Sequence, residues 1–445
     1  MGGFIERPRT ACALGGALAT ISALPGVVPV VHSALGCAGN LSNAAAFGSG
    51  YCGSSYCSGQ SVPTSAVTET EIVFGGTERL AEEIEAALEL IDADLFLVLT
   101  SCMTEMIGDD VEGVVSEFRE EGKPVLALST PSFKGDAYSG YSIVLEGVFN
   151  RYLPKARAKN PKLVNIFGLV PSYDPFFRGD LSEIKRLLEK LGLQVNTFFT
   201  PDQTFANLTS APEAALNILF SRAWGVEFAE NFARIHGTPY LITDLPIGPE
   251  ATDLFLREIG KKLEVESAYI EKVIEQENKE YYGYFQRAVD LFADSDYKFY
   301  AAVIANSNNA IPYARFLERE LGWIPKDIFV TDILREDQKD ALRQGFEAQN
   351  LLGELIFESD TSRIEVTLRQ RHARDRGEPY FDDDLSPLYI LGSSLEKQLA
   401  LGRGANYLSV SFPVYNRVIL DRGYAGYRGG LHLFEDLVDV LVAPK

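Results

Sequence analysis

Cysteine is scarce in this chain and unevenly placed. The 445 residues include five cysteines, and none of them follows Cys102. No two form the C-x-x-C pair of local metal-binding motifs, and an odd number argues against a disulfide framework. A buried structural thiol is the ordinary interpretation of any one of them. Their concentration in the amino-terminal part of the chain therefore leaves metal ligation or catalysis open.

Sequence motifs for binding nucleotides are also missing. No G-x-G-x-x-G stands at the start of a predicted helix, and no G-x-x-x-x-G-K-[ST] occurs. These patterns place backbone amides around phosphates, so neither a dinucleotide site nor a P-loop is expected. If ATP drives the reaction, another chain hydrolyses it.

Basic residues are outnumbered by acidic ones. Lys and Arg total 41 and Asp and Glu total 62, which gives a formal net charge of −21. Such a surface repels the phosphates of nucleic acid and lipid, and it steers partners that present a basic face. The apolar stretch at residues 11–31 is interrupted by Pro25 and Pro29, which disfavours a membrane span or an export signal. We expect a cytoplasmic protein that binds neither nucleic acid nor membrane.

Short apolar strands alternate with amphipathic helices along the whole chain, as in the helical pattern at residues 78–91. This alternation predicts an α/β fold in which helices flank parallel sheets on both faces. The chain is too long for one ordinary core. We predict three Rossmann-like domains, at residues 1–160, 161–255 and 256–445, and a helical linker at residues 264–296 within the third.

Four candidate ligands are expected at one edge of the first sheet. Cys37, Cys102 and Ser132 each follow the end of a predicted strand, and Cys12 begins an apolar helix. Because the carboxyl ends of parallel strands meet at one edge, three thiols and a hydroxyl would gather there. Such a set suits a soft metal or an Fe–S centre to which this chain supplies part of the coordination. On spacing alone, Cys37 and Cys102 could equally be small core residues, with Ser132 capping a helix.

Six strings, in order along almost the whole chain, resemble the β subunit of nitrogenase component 1 and its relatives. They are L-G-C at 35–37, V-F-G-G at 73–76, T-S-C-M-T-E-M-I-G-D-D at 100–110, T-P-S-F-K-G at 130–135, P-I-G-P-E-A-T-D-L-F at 246–255 and F-P-V-Y-N-R at 412–417. The third string is highly specific. The resemblance implies one subunit of an oxidoreductase, inactive alone, with a metal cluster at a subunit interface.

The resemblance also implies roles for five residues. Cys12, Cys37 and Cys102 resemble ligands of an [8Fe-7S] P-cluster shared with a homologous α-type subunit, and Ser132 resembles the serine that binds iron when the cluster is oxidised. Phe74 resembles the exposed aromatic residue where a homodimeric, ATP-hydrolysing iron protein docks. The substrate-reducing heterometal cofactor would belong to the α-type subunit, because its cysteine ligand has no counterpart here beyond Cys102. An (αβ)₂ heterotetramer is expected.

Two departures from the family pattern bear on the substrate. Residues 38–62 replace the Arg/Phe/His-rich stretch that usually follows the second cysteine, and Ser411 replaces a glycine. They favour a nitrogenase-like reductase, by preference a methylthio-alkane reductase, over a β subunit of a dinitrogen-reducing enzyme.

Cys52 and Cys57 are expected to be thiols at a subunit interface that bind no metal. The alternative is that they are extra Fe–S ligands. His32 is expected to pack beside the Cys37 turn, with a hydrogen bond to a cluster sulfur as the alternative.

Three further interpretations stay open on the sequence. The first is a tetrapyrrole reductase subunit with a simpler [4Fe-4S] cluster. The second is a non-catalytic scaffold on which a cofactor is assembled. The third is a metal-free α/β protein that binds a small molecule.

Overall fold

Three parallel sheets, each covered by helices, form the molecule, which confirms the predicted α/β fold. The computed structural model describes residues 5–50, 62–294, 297, 299–371 and 388–442. The predictions for Cys52 and Cys57 lie outside the described residues. None of the helices in the described ranges is long and apolar enough to cross a membrane.

The first sheet has the strand order β1-β2-β3. Its strands are β1 (Val27–His32), β2 (Leu95–Thr100) and β3 (Val125–Leu128). All six residues of β2 are buried, because helices cover both faces of a parallel sheet and an apolar run replaces alternation. The helices of this part are α1 (Ala13–Ser22), α2 (Leu35–Gly48), α3 (Glu69–Phe74), α4 (Thr77–Leu90), α5 (Cys102–Ile107), α6 (Val111–Glu120) and α7 (Ala137–Leu145), which a π-helical turn, Glu146–Tyr152, continues.

The second sheet has the strand order β5-β4-β6-β7. Its strands are β4 (Asn160–Phe167), β5 (Gln194–Asn196), β6 (Ala214–Leu219) and β7 (Tyr240–Ile242). Its helices are α8 (Phe177–Lys190), α9 (Phe205–Ser210), α10 (Val226–His236) and α11 (Gly248–Lys262). Helix α11 runs across the boundary predicted at residue 255, and the domain boundaries stay predictions.

The third sheet has the strand order β10-β9-β8-β11-β12. Its strands are β8 (Tyr300–Ala305), β9 (Ile324–Val330), β10 (Glu354–Phe357), β11 (Leu388–Gly392) and β12 (Asn406–Ser409). Its helices are α12 (Ser267–Phe285), α13 (Val289–Asp294), α14 (Ala310–Arg319), α15 (Glu336–Glu347), α16 (Thr361–Arg371), α17 (Lys397–Arg403) and α18 (Gly426–Val442). Helices α12 and α13 occupy most of the segment predicted as a helical linker.

One apolar cluster runs through all three parts of the molecule. It includes Leu97 of the first sheet, Ile166 of the second and Val303 of the third, each of them buried. Two smaller clusters lie on the other faces of the first and third sheets. The three sheets therefore share a core, and the end of the first sheet is held in a fixed relation to the other two.

Asp180 in α8 makes the junction with the carboxy-terminal part sensitive to pH. Its carboxylate accepts hydrogen bonds from the backbone amides of Tyr424 and Ala425, at 2.6 and 2.8 Å, and burial raises its pKa to about 7. The folded state thus takes up this proton at a higher pH than the unfolded state does. Protonation of Asp180 therefore contributes fully to the free energy of unfolding below the unfolded-state pKa of about 4. This contribution is lost as pH rises through about 7.

We therefore expect Asp180→Asn to flatten the pH dependence of stability. Between about pH 4 and pH 7, the wild type should lose up to about 1.4 kcal/mol of unfolding free energy per pH unit relative to the variant. Urea denaturation of both proteins at a series of pH values measures the difference. Parallel curves for the two proteins would contradict the assignment.

Candidate metal centre

The ends of strands β1 and β2 are joined around Cys102. Cys102 is the first residue of α5, directly after Ser101, whose hydroxyl caps the helix by accepting the Thr104 amide. The backbone carbonyl of His32, the last residue of β1, accepts hydrogen bonds from the Ser101 amide at 3.2 Å and from the Thr104 hydroxyl at 3.0 Å. The turn that carries Cys102 is therefore fixed by its neighbouring strand.

Strand β3 brings Ser132 to Cys102. The Cys102 thiol donates to the Ser132 hydroxyl at 2.9 Å, and the Ser132 amide donates to the Cys102 sulfur at 3.0 Å. Thr130 holds the turn in place, since its amide and hydroxyl bond to Thr100 at the end of β2. The side chain of Ser132 thus faces the thiol at the start of the short turn Ser132–Lys134.

Cys12 reaches the same edge because α1 and α7 cross very closely. A Cβ added at Gly16 would lie 1.8 Å from the carbonyl oxygen of Ala137, and one added at Gly140 would lie 2.0 Å from that of Ala13. Only glycine allows this approach. Cys12 pairs as a β-bridge with Asp136, and a cleft of about 300 Å³ is lined by both Cys12 and Ser132.

Cys37 lies in the first turn of α2 and is exposed. Partial burial raises the pKa of its thiol, and the negative charges of Cys12 and Cys102 raise it further. Cys37 follows the end of β1, and Cys102 follows the end of its neighbour β2, so the parallel strands bring both cysteines to the same edge of the sheet. Neither Cys37 nor Cys102 is fully buried, which makes the alternative that both are small core residues wrong.

The chemistry of these donors fits an iron–sulfur group. Three thiols and a hydroxyl stand at an accessible edge, and thiolate is the usual protein ligand of Fe–S clusters. No group of three His, Cys, Asp or Glu side chains within the described ranges is arranged to hold a single metal ion. The edge is open on one side, as coordination completed by a second chain requires.

Glu105 supports the edge and was missed by the sequence reasoning. Its carboxylate accepts hydrogen bonds from Thr100 at 2.5 Å and from Ser129, so it joins the ends of β2 and β3. The sequence could have indicated Glu105 through its spacing, because it lies three residues after Cys102 on α5 and residues three apart on a helix are neighbours. Glu105 orients the loops that carry the candidate ligands.

An exposed apolar surface lies next to this edge. The side chain of Phe74 is 84% exposed at the end of α3, and Val73 and Met106 are 71% and 80% exposed. Gly75 follows with a φ of 94°, a conformation that glycine adopts at no steric cost. Contiguous exposed apolar side chains often mark sites of protein contact, and the docking role of Phe74 stays a prediction.

His32 packs at the end of β1, and both of its ring nitrogens have protein partners. Nδ1 lies 2.8 Å from the Ser65 hydroxyl, and Nε2 lies 2.9 Å from a carboxylate oxygen of Asp109. No ring nitrogen is left for a cluster sulfur, so that alternative is wrong. Burial lowers the pKa of His32, against the opposing effect of Asp109.

A buried ion pair fastens the segment before Cys12 to the third sheet. Both nitrogens at the end of the Arg9 guanidinium bond to Glu396, and one of them also lies 3.0 Å from the Ser393 hydroxyl. The two charged side chains are each only 2% exposed. The sequence offered no signal for this contact, because its partners lie 387 residues apart.

Known proteins match this sequence along nearly its whole length. The family model described as nitrogenase component 1 type oxidoreductase matches residues 12–442. The molybdenum-iron protein β chain of Bradyrhizobium diazoefficiens is 24% identical, over 97% of this chain and 83% of its own. The iron-iron protein β chain of Rhodobacter capsulatus is 26% identical, over 86% of this chain and 83% of its own length.

The fold has a solved counterpart. A structure titled "Nitrogenase Cp1 at pH 6.5" matches with a TM-score of 0.78 and 19% identity, over 99% of this chain and 94% of that one. The resemblance predicted from the six strings is confirmed by the family match. The chain therefore belongs to the nitrogenase component 1 type oxidoreductases and resembles their β chains.

Proposed function

We propose that this chain is the β-type subunit of a nitrogenase-like reductase that passes electrons from an ATP-dependent iron protein to a cofactor in an α-type subunit. One observation carries the proposal. The ends of three neighbouring strands and the start of α1 bring three thiols and a hydroxyl to one edge of the first sheet, where the Cys102 thiol bonds to the Ser132 hydroxyl and where Cys12 and Ser132 line one cleft.

In this proposal Cys12, Cys37, Cys102 and Ser132 would hold half of an [8Fe-7S] P-cluster. When bound, that group stores and passes on electrons at a low potential. The thiolates supply soft ligands, and the Ser132 oxygen supplies a hard one that favours iron of higher charge. Partners such as the half-buried Glu105 hold the loops through hydrogen bonds to Thr100 and Ser129, so that the ligand atoms stay where the strands place them.

Phe74 and its apolar neighbours are the proposed docking surface for the iron protein. The chain's net charge of −21 suits a partner with a basic face, because complementary charge speeds encounter. The other faces of the chain would serve the α-type subunit and the (αβ)₂ assembly. The cytoplasmic location stays a prediction.

A methylthio-alkane is the preferred substrate class, and dinitrogen is the second candidate. The unusual stretch at residues 38–62 and Ser411 support the first. The two β chains compared above are those of nitrogenases, which supports the second. A tetrapyrrole reductase with a [4Fe-4S] cluster, a cofactor-assembly scaffold and a metal-free binding protein are further outcomes that one experiment separates.

The test is anaerobic co-purification of the chain with its homologous partner subunit. Iron per heterodimer and EPR spectra of the oxidised and reduced states should show an eight-iron cluster at the interface. Turnover with the iron protein and ATP should consume a methylthio-alkane. A four-iron spectrum would indicate the tetrapyrrole class, and loaded protein without turnover would indicate a scaffold. Iron-free protein would overturn the proposal.

A further inference from the structure

The turn at Gly75 and Gly76 directly follows Phe74, the exposed last residue of α3, and is called the Phe74 loop below. It is hydrogen-bonded to the interior through Asp109. One carboxylate oxygen of Asp109 accepts the backbone amide of Gly76 at 2.9 Å. The other oxygen lies 2.9 Å from Nε2 of His32. Asp109 directly follows the turn that ends α5, the helix that Cys102 begins. A single side chain therefore joins the loop after α3 to the loop after α5.

The hydrogen bonds of this group are all complementary. Burial lowers the pKa of His32, which favours a neutral ring with one N–H. Nε2–H then donates to the Asp109 carboxylate, while Nδ1 accepts the hydroxyl proton of Ser65 at 2.8 Å. The His32 side chain is fully buried and that of Asp109 is 4% exposed. A buried, fully satisfied network of this kind is rigid, because each lost bond leaves an unpaired polar group.

The backbone of His32 faces the thiol edge. Its carbonyl oxygen accepts the Ser101 amide at 3.2 Å and the Thr104 hydroxyl at 3.0 Å, and these two residues flank Cys102. His32 thus contacts the Cys102 turn with its main chain and Asp109 with its ring. The side chains of His32 and Asp109 therefore connect the Cys102 turn to the backbone amide of Gly76.

Gly76 packs closely against the side chains of Asp109 and His32. A Cβ added at Gly76 would lie 2.9 Å from an Asp109 oxygen and 3.0 Å from the Cε1 atom of His32. Both separations are below ordinary van der Waals contact. A displacement of the Phe74 loop therefore presses directly on Asp109 and His32.

We propose that His32 and Asp109 are positioning residues that couple contact at the Phe74 loop to the Cys102 turn. This inference rests on the proposed function, in which the Phe74 loop receives the iron protein and Cys102 ligates the cluster. The pair holds the loop in the shape that the partner contacts, and it transmits pressure on the loop to the edge that receives the electron.

Two substitutions of Asp109 distinguish the positioning role of its hydrogen bonds from an effect of its negative charge. Asp109→Asn removes the charge but keeps an oxygen for the Gly76 amide, and the His32 ring can change tautomer to accept from the new amide. Asp109→Ala removes both bonds. In the anaerobic complex with its partner subunit, we expect Asp109→Ala to raise the KM for the iron protein about tenfold. Asp109→Asn should stay within about twofold of the wild type.

Hydrogen–deuterium exchange provides a readout that a general loss of stability would not give. In Asp109→Ala, exchange should rise in the peptides covering residues 69–80 and 100–107 and stay unchanged in the second and third sheets. The control Asp110→Asn removes a neighbouring charge but keeps the cap of α6, where Asp110 accepts the Gly113 amide at 2.9 Å, because asparagine caps as well as aspartate does. It should match the wild type in both measurements.

The outcomes separate this inference from the proposed function. If Asp109→Ala and Asp109→Asn raise the KM equally, the loss of the negative charge of Asp109 explains the effect and the coupling is refuted. Wild-type exchange in both peptides of Asp109→Ala also refutes it. Iron content and EPR spectra are recorded on the same samples. A wild-type complex without iron or ATP-dependent turnover refutes the proposed function, whereas an iron-loaded, active complex with unaffected variants refutes only the coupling.

Discussion

Cys37→Ala is expected to remove the cluster iron and nearly all ATP-dependent turnover from the anaerobically purified complex. Cys37 is the most exposed of the three candidate thiols and lies in the first turn of α2, shortly after the end of β1. A missing thiolate cannot be replaced by the alanine methyl group, and water is a poor ligand for iron in such a cluster. Even changes outside the ligand set cost about 10–100-fold in metal affinity, so the loss of a ligand should exceed this range.

Iron analysis and EPR spectra of the variant complex provide the measurement. The matched control is the double variant Cys52→Ala/Cys57→Ala, which removes two thiols of the same glycine-rich region of the sequence. It should keep the full iron content, as expected for unligated thiols. Full iron content in Cys37→Ala would contradict the proposed ligand set. Iron loss in the double variant would instead make Cys52 and Cys57 cluster ligands.

Arg9→Met is expected to destabilise the chain by about 3–5 kcal/mol, because it leaves the Glu396 carboxylate buried without its cation. Glu396 also accepts from the amide and hydroxyl of Ser393, and neither donor carries a positive charge. The segment that leads to Cys12 would lose this attachment to the third sheet, while Glu6 and Arg7 would still bond to Asp360 and Thr361. Iron content should therefore fall together with the free energy of unfolding.

A double-mutant cycle isolates the ion pair. Arg9→Met/Glu396→Met replaces both buried charges with apolar side chains, and such replacements are often neutral or stabilising. The double variant should recover most of the stability that Arg9→Met loses. Chemical denaturation of the four proteins measures the coupling. Additive losses in the double variant would show that the two side chains act independently.

Much of the fold could be predicted from local pattern. The run at residues 95–100 is apolar throughout, and a strand buried on both faces requires that composition. The meeting of Cys102 and Ser132 followed from the geometry of parallel strands, since both come directly after strand ends. Local pattern is informative here because the period of a strand or helix is expressed within a few residues.

The supporting contacts could not be predicted. The bond between Asp109 and the Gly76 amide depends on how two loops pack, and no periodicity expresses it. The pairing of Arg9 with Glu396 joins residues 387 positions apart, and nothing in the sequence singles out these two charges among many. Such contacts depend on tertiary packing, which is why the sequence indicated the ligands but not the groups that hold them.

The apolar cluster that runs through all three sheets has a consequence for how the chain breaks down. Excising the middle sheet would expose side chains such as Ile166 to water, and burying one such side chain contributes about 1.5–3 kcal/mol. The pieces should thus be prone to aggregate when they are made separately, and the three parts of the intact chain should unfold together because they share one core. A protease that opens any one of the three parts would expose the other two to digestion.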